Sequence, residues 1–196
     1  MISAFMIVKH HWNYFIALEN DLSKLSRYVE FDERNFPAFS IELAHILFAA
    51  SSEIDVLAKL LCEEIDPTKP HNNIDDYRKV LRIRVPEIAN MQVEIPRYGL
   101  EFTPWSEWNS DKNPAWWKAY NNVKHHRNSN FDEATLENAM LSMSGLLVFV
   151  FHYYQYSLSD IKSTPLSPKK TNYELEPDSS LIRLKGDYYP SMLVVN

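Results

Sequence analysis

At 196 residues, with hydrophobic side chains at 45%, aromatics at 13% and only 3 glycines, the chain has the size and composition of one packed helical domain; this excludes a disordered chain and disfavours a turn-rich β fold. A formal net charge of -6, from 26 acidic and 20 basic side chains, gives no global attraction for nucleic acid or anionic membrane, so any such binding must rest on a local basic patch. The lone cysteine, Cys62, rules out an internal disulfide and points to a buried thiol in a reducing, cytoplasmic setting.

The opening MISAFMIVKHHW has a short apolar stretch followed, not preceded, by basic residues, so no secretory signal is expected. Helical spacing of Trp12, Phe15, Ile16, Leu18, Leu22 and Leu25 predicts a first helix over about residues 6–28, then an irregular connection over 29–37. Ser40 is an N-cap for a second helix running to residue 65, where Asp66-Pro67 stops it; its broad apolar face places it at the centre of a bundle. A third helix is expected over 74–84, ended by Pro86. Alternation at Met91, Val93, Ile95 and then Tyr98, Leu100, Phe102 predicts a hairpin near 91–103.

Residues 104–114 mix turn formers with two tryptophans and are expected to form an ordered surface loop. Pro114 fits the first turn of a fourth helix, which ends near 126, and Asn130 with Glu133 resembles a capping box opening a fifth helix to 157. Small residues around Gly145 would let another helix cross closely. The apolar run 139–151 is shorter than the roughly 18 residues a membrane span requires, so it reads as core. Residues 161–196 are expected as a polar linker and a C-terminal hairpin around Gly186-Asp187, with Pro190 confining the second strand to an edge, packed on or beside a bundle domain of residues 1–160.

The densest polar cluster is KAYNNVKHHRNSN, residues 118–130. Trp116, Ala119, Tyr120 and Val123 share one helix face, while Lys118, Asn121, Asn122 and His125 fall on the adjacent stripe at spacings of three and four. A histidine can transfer protons near neutral pH, and Lys124 or Arg127 beside it can hold a phosphate, which is the minimum equipment for cutting RNA without a metal. The same stripe equally describes a solvated helix face whose histidines cap C-terminal carbonyls. On the central helix, Ser52, Asp55 and Lys59 line one stripe beside Ser51 and Glu53; Glu53 or Asp55 facing the Lys124 to Arg127 cluster would orient His125, or serve only in a salt bridge.

The seven histidines show no metal-ligand spacing, and glycine-rich phosphate loops, nucleophile elbows and kinase signatures are absent, so neither metal nor cofactor is expected. Trp105, Trp108, Trp116 and Trp117 suit core packing better than a base-stacking platform.

The stretches SIELAHILFAASSEIDVLAKLLCEE and NPAWWKAYNNVKHHRNSNFDEATLENA, within residues 40–157, resemble bacterial proteins of the HEPN superfamily. That resemblance implies a bundle of about five helices, a homodimer, and RNA binding or metal-independent cleavage in stress, toxin-antitoxin or phage-defence systems, with RNA or a cognate antitoxin as partner. It implies His125 as general acid/base with Asn121 orienting it; the cluster itself offers Arg127 to supply charge, and Lys118, Lys124 and His126 as RNA contacts, although none of these basic residues sits at the motif position. Tyr120 stands where the superfamily's motif has arginine. An alternative of another class is a non-enzymatic protein-interaction module in which the same residues form a structural polar network.

Overall fold

In the computed structural model, which describes residues 8–68, 71–161 and 163–189, the chain is mainly helical, with seven helices and one small three-stranded antiparallel sheet among those residues. Helix α2, Ile41–Ile65, is central. Ser40 starts it: its backbone is extended and its hydroxyl accepts the Leu43 amide at 3.2 Å. Inward residues such as Leu47, Ile54, Leu57 and Leu61 are fully buried, mostly against α6, Leu136–Ser157, in the most extensive contact between any two elements. Cys62 lies in this core, where burial first and then nearby carboxylates push its thiol up to about 12.

Helix α1, His10–Leu25, packs on both α2 and α6 through Trp12, Phe15, Leu18 and Leu22. It is shorter than expected. Residues 6 and 7 lie outside the described residues, and after Leu25 the Ser26 hydroxyl donates to the Ser23 carbonyl at 2.7 Å, favouring turns over another helical turn. Helix α3, Ile74–Arg84, has the expected bounds because Asn73 accepts the Asp75 and Asp76 amides.

The expected hairpin is present as β1, Val93–Ile95, and β2, Leu100–Phe102, paired Val93 to Phe102 and Ile95 to Leu100. Gly99 closes it at φ 65°, a left-handed conformation that disfavours any side chain. The C-terminal segment departs from expectation in two ways. Its strand β3, Arg183–Leu184, pairs with the free edge of β1, giving the order β2-β1-β3, rather than turning back on itself among the described residues. The second strand expected there, including Pro190, lies outside the described residues. The polar stretch before it contains helix α7, Pro168–Glu174, which the Ser167 cap and Pro168 at the first helical position announce locally.

Helix α4, Ala115–His125, is followed by the single turn α5, Arg127–Asn130. Helix α6 starts later than expected: its cap is Thr135, accepting the Asn138 amide at 3.2 Å, while Asn130 and Glu133 meet only side chain to side chain. The loop over 104–114 is ordered but not superficial, since Trp105 and Trp108 are fully buried. A Cβ at Gly145 would lie 3.1 Å from the Trp116 ring and 3.3 Å from that of Trp105, so two indoles occupy the room that glycine leaves.

His152 on α6 is fully buried, with Nε2 2.8 Å from the Met91 sulfur and Nδ1 among the unpaired polar atoms. Burial, opposed in part by the nearby Gln155 side chain, pulls its pKa from 6.5 to about 4, so the native ring is neutral at pH 7. Between those values the unfolded chain binds the proton and the folded one does not. This group's contribution is therefore complete above the unfolded value and is lost as pH falls toward the folded one. We expect a loss on the order of 3 kcal/mol, read as a urea midpoint that drops between pH 7 and pH 4, and a shallower drop in His152→Leu.

Candidate functional site

The basic cluster is built where α4 ends. Trp116, Trp117, Ala119, Tyr120 and Val123 hold the helix against the core, which turns the opposite side outward. Lys118, Lys124, His125, His126 and Arg127 are all exposed. The chain then bends: the His126 amide donates to the Asn122 carbonyl at 2.8 Å, and α5 brings Arg127 back toward α2. The result is a projecting turn of four consecutive basic residues.

Two of these cations rest on aromatic rings. The Lys124 ammonium sits 5.3 Å from the Tyr120 ring centre and donates to the Tyr120 hydroxyl at 3.2 Å. The Arg127 guanidinium lies 5.3 Å over Phe48 of α2, and the two rings are edge to face at 6.1 Å. Phe48, Ser52, Tyr120, Lys124 and Arg127 line a pocket of about 300 Å³. Among the described residues neither Lys124 nor Arg127 has a carboxylate partner. Glu133, which follows the turn in sequence, is held by amides: Asn122 Nδ2 donates to both of its oxygens at 3.0 and 3.1 Å, and Asn130 donates to Oε1 at 3.1 Å. Neutral amides thus occupy this carboxylate, and the two cations keep no carboxylate of their own among the described residues.

The other expected site residues divide. Asn121 is one turn before His125 and partly buried, its Nδ2 donating to the Trp117 carbonyl at 2.9 Å. The His125 side chain makes no hydrogen bond among the described residues and opens to solvent. Asn122 leaves the polar stripe for Glu133. The acidic residues expected to orient His125 do not face it. Glu53 accepts from His11 Nδ1 at 2.5 Å on the α1 side, and Asp55 lies against the Tyr77 hydroxyl of α3. Successive helical residues are rotated by about 100°. With Phe48 and Ser52 aimed at α4, Glu53 must point to α1 and Asp55 to α3. Burial first, and then the Asp55 charge, holds the Tyr77 phenol well above its ordinary range.

Sequence reasoning missed the polar knot that Glu53 does make. His11, partly buried, is edge-on to Tyr153 at 5.1 Å and tilted to Tyr154 at 6.4 Å, and burial with the Glu53 charge raises the Tyr14 phenol. No local pattern announces this pairing, because its partners are 42 residues apart on different helices.

Among the described residues no group of three or more histidine, cysteine, aspartate or glutamate side chains is arranged to hold a metal ion, and no helix is long and apolar enough to cross a membrane. Comparison of the chain with family models, with curated proteins and with solved structures gave no match.

Proposed function

We propose that the chain is an RNA-binding protein of the HEPN kind, acting in bacterial stress or phage defence, with the α4 to α5 turn as its RNA surface and His125 as the general acid/base of a metal-independent cleavage. One observation carries this reading. In a chain with more acidic than basic residues, Lys124 and Arg127 stand without carboxylate partners beside an exposed imidazole. Such a surface attracts a phosphodiester, and its two cations offset the charge that grows on phosphorus-bound oxygens during attack.

In this reading His125 takes the proton of a ribose 2′-hydroxyl as that oxygen attacks the neighbouring phosphorus, and the 5′-oxygen leaves with a proton from solvent. Asn121, anchored one turn below by its bond to the Trp117 carbonyl, keeps its side-chain oxygen to orient the ring once RNA is bound. Lys118 and His126 extend the phosphate track on either side. A homodimer and a cognate antitoxin belong to the same proposal.

A second reading has support of its own. Tyr120 replaces the expected arginine and is bonded to Lys124, and Asn122 is locked to Glu133, as in a structural network serving a non-enzymatic protein-interaction module. One assay set separates the two. With labelled RNA at low salt and in chelator, wild type should bind and cut. Lys124→Gln and Arg127→Gln should each weaken binding by roughly tenfold with a shallower salt dependence. His125→Ala should stop cutting while its melting temperature stays within about 1 °C of wild type, since an exposed side chain contributes little to stability. Wild-type protein that neither binds nor cuts RNA overturns the proposal and leaves the interaction module.

A further inference from the structure

We infer that the pocket between α2 and the α4 to α5 turn is a subsite for one unpaired nucleotide, its base stacked on the outer face of Arg127 and its phosphate against Lys124. The inference rests on the RNA reading above and narrows it to a single strand.

The arrangement is layered. Phe48 supports the guanidinium from below at 5.3 Å, and the Arg127 side chain is exposed, so the opposite face of that planar cation is open. A guanidinium plane is a stacking surface for a base, and one already held by a ring loses less freedom when the base arrives. Lys124 is fixed beside it by the Tyr120 hydroxyl at 3.2 Å, which leaves the remaining ammonium protons for an anion. Because that hydroxyl accepts from Lys124, its own proton is free to donate to the same anion.

Size and polarity agree with such an occupant. A pocket of about 300 Å³ lies at the small end of ligand sites, on the scale of one nucleotide rather than a longer segment. Its lining has two rings, two cations and the exposed Ser52 hydroxyl, with no carboxylate to repel phosphate. Ser52 both donates and accepts, so it meets any base edge and selects none strongly. Bases inside a duplex keep their faces against one another, so only an unpaired strand can use the site.

The test measures affinity for a labelled 12-nucleotide single strand and for the same sequence as duplex RNA, by anisotropy across a salt series. Wild type should favour the single strand by at least about tenfold, the scale of one stacked base. Arg127→Lys keeps the charge and loses the plane: the preference should fall toward one while the slope of log affinity against log salt is retained. Phe48→Leu, which removes the support under the guanidinium, should reduce the preference as well. Equal wild-type affinity for both RNAs, or a preference untouched by Arg127→Lys, overturns the subsite and leaves RNA binding standing. Absence of binding to either RNA removes the RNA reading and the subsite together.

Discussion

Trp105→Ala should lower the free energy of unfolding by about 3–5 kcal/mol, the range for deleting a large buried aromatic. The Trp105 ring is fully buried and meets Trp108 at 4.6 Å, Phe149 at 4.9 Å and Trp116 at 5.0 Å, while its N–H donates to the Gly145 carbonyl at 3.3 Å. Neighbours this rigid refill a void poorly, so most of the cavity would persist. Urea denaturation at neutral pH measures the loss. A change below about 1 kcal/mol would mean that the loop carrying Trp105 is not part of the core. The effect also reaches the basic turn: Trp116 of α4 leans on this indole, so loss of the ring loosens the platform that turns Lys124 and His125 outward.

Glu19→Ala should have a comparable effect, about 3–5 kcal/mol, for a different reason. The Glu19 carboxylate is 1% exposed and belongs to no ion pair among the described residues. It accepts instead from the backbone amides of Ser180, Leu181 and Ile182 at 3.0, 3.0 and 2.8 Å, and from the hydroxyls of Ser179 and Ser180. Charge-assisted bonds of this kind are about twice as strong as neutral ones, and truncation strands several donors in a buried place. Trp12, which donates to the Pro177 carbonyl at 3.0 Å, adds a second tie between α1 and the same segment. Hydrogen exchange localises the effect. The Leu181 and Ile182 amides should lose most of their protection in Glu19→Ala, whereas unchanged protection would show that β3 alone holds the segment. Glu19→Gln should fall between, because its amide NH2 faces donors instead of accepting from them.

Several elements were legible because their causes are local. Ser40 stands directly before α2 and accepts an amide from its first turn, so that start is visible in a few consecutive letters, and the structure shows Asn73 capping α3 in the same way. The Pro96 to Gly99 turn between alternating apolar residues fixes the hairpin in the same way. The exposure of Lys118 and His125 follows from the apolar face formed by Trp116, Ala119, Tyr120 and Val123, since a helix with one side buried must present the other. Helix α7 carried its own signal, Ser167-Pro168, but seven residues without an apolar period leave little else to read.

The site's interior was a different matter. Helical periodicity assigns residues to stripes without saying which neighbour each stripe meets. A rotation of α2 by one residue would have aimed Glu53 rather than Ser52 at α4.

By itself the sequence determined that the five longer helices exist, where α2 and α3 begin, and that one turn gathers four basic residues. Tertiary structure alone decided that Glu53 joins His11, that Glu133 is taken by two asparagines, that Lys124 and Arg127 have no carboxylate partner among the described residues, and that Glu19 holds a segment some 160 residues away. The division has a physical reason. Caps and periodicity depend on forces that act within a turn or two of the chain, whereas the partner of a polar side chain depends on how whole helices are rotated and stacked to fill the core.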